Sequence, residues 1–147
     1  MDITKLNEEN KCIFAIKLAQ KASSYLQESN VHSLINKAIE VALKWEYIGE
    51  NIGEILYNFL DNEENGFTLF QEMEEDEKNI NAWNCIIYSL AYVSRVAYEK
   101  DGVKYFPEPI EAVDDDVFIY MIQSLISCNS IERDYIENIY NECLEKN

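Results

Sequence analysis

An all-α fold, a single-domain helical bundle of six or seven helices spanning residues 1–147, is predicted by three observations. Apolar residues recur at spacings of three and four from Ile13 to Leu144, with little of the alternation that marks strands. Only four glycines and two prolines interrupt 147 residues. Leu, Ile, Val and Phe number 42, about 29% of the chain, above the ~20% below which a highly charged chain stays disordered. A chain of this length buries enough surface for one core without disulfides or metals, and no compositional break or fixed-period repeat divides it.

The elements follow in order. Ile13, Ile16, Ala19 or Ala22, and Leu26 define a first helix at about 8–28, closed by the polar run Gln27-Glu28-Ser29-Asn30. Val31, Leu34, Ile35, Ala38, Ala42 and Trp45 make a second, with Asn30 as its N-cap. Ile52, Ile55, Leu56, Phe59 and Leu60 make a third, its start loosened by Gly49 and Gly53. A short fourth helix carries Phe67, Phe70 and Met73. Ile80, Trp83, Ile87, Leu90, Ala91, Ser94, Ala97 and Tyr98 form the longest stripe, a central helix of about five turns ending near Asp101-Gly102. Residues 102–113 hold both prolines, Pro107 and Pro109, and read as the one long loop. Asp114 then caps a helix lined by Phe118, Ile119, Ile122 and Leu125 or Ile126, with Asp115 and Asp116 in its first turn. Ser130 caps the last, whose Ile131, Tyr135, Ile139 and Cys143 face inward.

Charge narrows function. With 28 acids against 12 bases the net charge is −16, the reverse of the basic footprint that nucleic acid or anionic lipid requires. The excess is uneven: residues 1–39 carry +1, residues 40–78 carry −10 and residues 79–147 carry −7. An acidic surface attracts cationic partners. No segment approaches a membrane span, and Met1-Asp2-Ile3-Thr4-Lys5 lacks a signal-peptide pattern, so a cytoplasmic location is expected. Cys12, Cys85, Cys128 and Cys143 include no C-x-x-C pair, which makes a zinc site the weaker reading and reduced, mostly buried thiols the better one.

Catalytic constellations are weak. His32 is the only histidine, so the Glu-x-x-His pairs of a di-iron site and the base of a Ser or Cys nucleophile are missing; it reads as a surface or cap residue. Glu72-x-x-Glu75 with Glu111-x-x-Asp114 is a faint Mg²⁺ pattern whose halves are far apart. No phosphate-cradling glycine motif occurs. The expectation is a protein without catalysis, metal or cofactor.

Binding is better supported. Glu72, Glu74, Glu75, Asp76 and Glu77 put five acids in six residues. The plain reading is a solvated helix end; the functional one is a contact patch for a basic partner. Glu46, Glu50 and Glu54 share a face if a helix passes Gly49, at a cost of a few tenths of a kcal/mol in like-charge repulsion (~0.2–0.5). Ten tyrosines are many, and Tyr88, Tyr92 and Tyr105 fall off the central stripe, where exposure would make them interface anchors.

The landmarks Ala38-Ile39, Trp45, Ile55-Leu56-Tyr57, Ala82-Trp83, Ile86, Leu90, Tyr92-Val93 and Ala97-Tyr98 resemble those of the all-helical immunity proteins that accompany bacterial polymorphic toxins, including toxins with an LXG secretion domain. The resemblance implies a protein that binds and blocks the toxic C-terminal domain of a cognate toxin, often a nuclease. It transfers no contact residue. Charge independently nominates Glu72, Glu74, Glu75, Asp76 and Glu77 for a toxin's cationic site, with Glu50, Glu54, Asp114, Asp115, Asp116 and Tyr105 as second choices. An acidic helical adaptor or nucleic-acid mimic that sequesters a basic regulator is the alternative.

Overall fold

The computed structural model describes residues 1–147. After a 3-10 turn at Ile3–Lys5, the chain forms α1 (Glu8–Ser23), α2 (Ser29–Ala42), α3 (Ile52–Leu60), α4 (Phe67–Met73), α5 (Glu77–Lys100), α6 (Glu108–Glu111), α7 (Val117–Cys128) and α8 (Glu132–Glu145). There is no strand. No helix is long and apolar enough to cross a membrane.

α5 is the axis around which the others are arranged, and its sequence explains why. From Asn79 to Ser94 it carries no charged residue, and 13 of its residues are buried. One stripe meets α3 and α4: Gly53 lies against Ser94 and Tyr98, while Phe67 and Phe70 lie against Trp83. A second meets α7 through Tyr92 on Phe118 and Tyr88 on Tyr120. A third meets α1, where the Cys85 thiol points at the Leu18 carbonyl. The core is one continuous body of 41 buried apolar residues.

Gly53 is required by that packing. A Cβ there would sit 2.7 Å from Tyr98 Cγ and 2.9 Å from the Ser94 carbonyl oxygen, closer than any real contact. The backbone carbonyl of Gly53 accepts a 2.7 Å hydrogen bond from Ser94 Oγ, which satisfies a buried hydroxyl.

Several expectations need correction. The bundle has eight helices, because Pro107 and Pro109 do not hold 102–113 as a loop: Pro107 is the N-cap and Pro109 stands in the first turn of α6, where a missing N–H costs nothing. α1 stops at Ser23, the next residues turning through successive short-range bonds, rather than reaching 28. Asn30 is not the cap of α2; Glu28 is, and its side chain makes no capping bond. Asp114, Asp115 and Asp116 precede α7, with Asp116 at the N-cap; Asp114 Oδ1 instead accepts from the Asp116 N–H at 2.8 Å. Ile131, not Ser130, is the N-cap of α8, and Asn129 Oδ1 holds the Ile131 N–H.

Some side chains also point differently. Ile131 and Ile119 are exposed, whereas Met121 and Ile136 fill their helices' inner faces. Met73, at 79% exposure, stands outside the core, and Ile55 is likewise exposed. Tyr92 is buried. His32 is half-buried and its Nε2 contacts the Leu26 carbonyl, tying the start of α2 to the α1–α2 turn. All four cysteines are buried and free, as expected.

Candidate functional site

The acids named from the sequence do not form one patch. Residues 77 and 98 are 21 helical positions apart on α5, about 30 Å. The Glu72–Glu77 run lies at the first end; Glu54 and Tyr105 lie at the other, beside Tyr98. Asp114, Asp115 and Asp116 line a separate cleft of about 460 Å³ with Glu8, Arg95 and Glu99.

Part of the Glu72–Glu77 run is occupied with local structure. Glu74 Oε1 accepts from the backbone N–H groups of Glu75 and Asp76, and Asp76 Oδ1 caps α5 by accepting from Asn79 N–H at 3.1 Å. Glu77 sits in the first turn, where the helix dipole favours it. Glu72 and Glu75 are exposed and make no side-chain hydrogen bond or ion pair. Three of the five are thus engaged at the helix end, and Glu72 and Glu75 are solvated there.

The other end of α5 is built around a chain reversal. Gly49 (φ 85°) and Asn51 (φ 55°) both adopt left-handed backbone, and the Gly49 N–H donates to Asp101 Oδ1 at 2.7 Å. α2 ends at Ala42 and α3 starts at Ile52, so no helix runs past Gly49 and the condition under which Glu46, Glu50 and Glu54 would share a face is not met. Instead the turn carries Glu46, Tyr47, Ile48 and Glu50 outward, with Tyr47 55% and Ile48 72% exposed. Sequence reasoning missed these two apolar residues; Gly49 beside them was the available signal of a turn.

Next to the reversal lies a cleft of about 420 Å³ lined by Asn51, Glu54, Tyr98, Asp101, Tyr105 and Phe106, among others. Tyr105 is 91% exposed at its rim, so this expected anchor is free to be covered. Burial, and then the Glu54 carboxylate, raise the Tyr98 hydroxyl above the ordinary tyrosine range. On the outer side of α3, Tyr57 donates to Asp61 Oδ2 at 2.7 Å, which together with partial burial pushes its pKa up to about 12.

A third cleft, also about 420 Å³, opens where the α1–α2 turn meets α4 and the start of α5. Its lining includes Glu28, Phe70, Met73, Glu74 and Trp83. Neither metal pattern assembles: Glu72/Glu75 and Glu111/Asp114 stay apart, and no three His, Cys, Asp or Glu residues converge as ligands.

One regularity spans these sites. The fold's ion pairs are Lys11–Asp115, Lys17–Glu142, Lys21–Glu132, Arg95–Glu99 and Lys100–Glu8. None involves residues 40–78, the −10 segment that contains α3, α4 and the reversal. The same segment also carries the exposed apolar residues Leu43, Tyr47, Ile48, Ile55 and Met73.

Fold and surface thus define an acidic helical binding protein, and its class is that of the immunity proteins. The chain belongs to the Imm6 immunity protein family, whose model matches residues 10–128. A protein of this class has a cognate toxin as its partner. No curated protein and no solved structure matches the chain.

Proposed function

We propose that this immunity protein neutralises the toxic C-terminal domain of a polymorphic toxin, a nuclease, by laying its α3–α4 side over the basic active site. The observation that carries the reading is the −10 segment at residues 40–78 that forms no ion pair within the fold. Carboxylates held by the fold without internal partners are a net cost to folding, through self-repulsion, and a gain in binding a cation.

A nuclease presents the complementary surface, because its cleft must hold phosphates with Lys and Arg. Carboxylates meet the toxin's cations at two ends of the face, Glu50 and Glu54 with Tyr105 at one and Glu72 and Glu75 about 30 Å away at the other, so that one end stands in for phosphate oxygens in the cleft while the other holds its basic rim. Asp115 is the weakest of the nominated acids, since Lys11 holds it at 2.8 Å. The mechanism needs no catalysis by the immunity protein: occupying the cleft excludes nucleic acid. Inhibition in the cytoplasm, where the toxin meets its target, follows from the same reading.

The test is co-expression with the cognate toxin domain, scoring growth and co-purification. The native chain should rescue growth and co-purify. A variant with Glu46, Glu50, Glu54, Glu72 and Glu75 changed to glutamine should retain its fold and lose rescue. Full rescue by that folded variant overturns the acidic-face mechanism, and a toxin without nuclease activity overturns the choice of target.

A further inference from the structure

The cleft at the junction of the α1–α2 turn, α4 and α5 lies at the edge of the proposed occluding face, which gives it no ligand of its own. We infer that it is a receptor for a single arginine side chain presented by the toxin. The inference rests on the reading that the partner is cationic, and adds to it a specific site and a specific side chain.

The floor is aromatic: Phe70 stacks on Trp83 with ring centroids 5.4 Å apart and planes within 7°. Trp83 is itself 2% exposed, so Phe70, half-buried, is the ring that offers a face to the cleft. Met73, projecting almost fully into solvent, supplies a mobile apolar wall that adapts to what enters.

Both charged residues of the lining, Glu28 and Glu74, are acids. Each has spare capacity. Glu28 occupies the N-cap of α2 yet makes no capping bond. Glu74 uses Oε1 on two backbone N–H groups and leaves Oε2 without a partner. The cleft is therefore an aromatic surface between two carboxylates whose solvated oxygens are free to accept, in a volume of about 420 Å³.

A guanidinium matches all three features. It is planar and stacks on an aromatic ring, it carries five donors in a fork that fits carboxylates, and it is weakly hydrated enough to leave water. A lysine ammonium would meet the charge without the stacking. An anion is repelled, and a purely apolar side chain would leave both carboxylates unanswered.

The probe is a pentapeptide, acetyl-Gly-Gly-Arg-Gly-Gly-amide, titrated into the full chain while the Trp83 indole N–H is followed by NMR. The control replaces arginine by citrulline, which has the same shape without the charge. Arginine should bind at least about tenfold more tightly than citrulline, and Glu28→Gln, Glu74→Gln and Phe70→Leu should each weaken it while leaving the helical spectrum intact. In the toxin complex, the Glu28→Gln/Glu74→Gln pair should raise Kd by about tenfold or more. Equal binding of the two peptides, or no shift at Trp83, overturns the inference. So does an unchanged toxin affinity in the double variant. A toxin that proves not to be a nuclease would sink the proposed target and leave these outcomes readable.

Discussion

On the α1, α7 and α8 side of α5, cations are matched to carboxylates: Lys11 with Asp115, Lys17 with Glu142 and Lys21 with Glu132. Those pairs link α1 to α8 and to the start of α7, so charge there helps orient helices. On the α3–α4 side, twelve acids and two lysines between residues 40 and 78 form no pair at all. Both sides lie on the same buried axis and both are covered with charge. Charge therefore helps orient helices on one side and forms no internal ion pair on the other; residues 40–78 are the densest unpaired block, and scattered exposed acids such as Asp116, Glu137 and Glu145 are unpaired as well.

Changes in the continuous core that surrounds the shared axis should be the most damaging and should not distinguish the sides. Phe14→Ala removes a ring stacked on Phe118 at 5.9 Å and set edge-on to Tyr140. Trp83→Ala removes the ring beneath Phe67 and Phe70. Each should cost ~3–5 kcal/mol in urea unfolding. A loss below about 1 kcal/mol at either would mean that the two sides do not share one core.

Next in size is Lys21→Ala. Glu132 is 3% exposed, its Oε1 lies 3.8 Å from Lys21 Nζ, and its Oε2 has no partner. Removing the lysine strands a buried carboxylate and also takes away the cation that lies over the Tyr135 ring. We expect a loss of ~1–3 kcal/mol, recovered in part by adding Glu132→Gln. The pair on the opposite side, Glu50→Gln and Glu54→Gln, should change stability by no more than ~0.5 kcal/mol, and any change should be a gain at low salt. A loss comparable to that of Lys21→Ala would erase the distinction.

Alkaline pH gives a smaller contrast. Hydrogen bonding to Asp61 raises Tyr57 to about 12, and burial raises Cys128 to about 11. In both cases the folded state holds its proton more tightly than the unfolded chain. Their contribution is therefore whole below about pH 9 and is lost as pH climbs from 9 toward 12. Melting temperature should fall over that window, and Tyr57→Phe should flatten only the upper part, from about 10 to 12. An unchanged profile in that variant would remove Tyr57 from the account.

Much of this was legible in the sequence, for a physical reason. Stripes such as Trp83, Leu90 and Tyr98 report which face of a helix avoids water, so α1 to α5 could be placed from spacing alone. Ends were less legible: Asn30, Asp114 and Ser130 are good cap residues by type, yet neighbouring Glu28, Asp116 and Ile131 occupy those positions because packing of the helix bodies sets where the first turn starts. α6 was hidden because proline breaks a helix only beyond its first turn. The acidic block was visible as charge. Its division into capping acids, such as Asp76, and unengaged ones, such as Glu75, was not, because hydrogen-bond partners three residues away leave no mark on composition. Glu28 at the start of α2, Phe70 and Met73 on α4 and Trp83 on α5 come together from three separate elements, and that cleft required the fold to be seen.

The central claim is that the ion-pair-free acids of residues 40–78 draw in and hold a cationic toxin domain. Stopped-flow association of the purified chain with its toxin domain, measured from about 20 to 500 mM salt, tests it most directly. Electrostatic steering at −16 predicts a rate near 10⁸–10⁹ M⁻¹s⁻¹ at the lowest salt that drops by more than about tenfold across the series, with dissociation changing far less. A rate of about 10⁵–10⁶ M⁻¹s⁻¹ that stays constant across the series would contradict the claim.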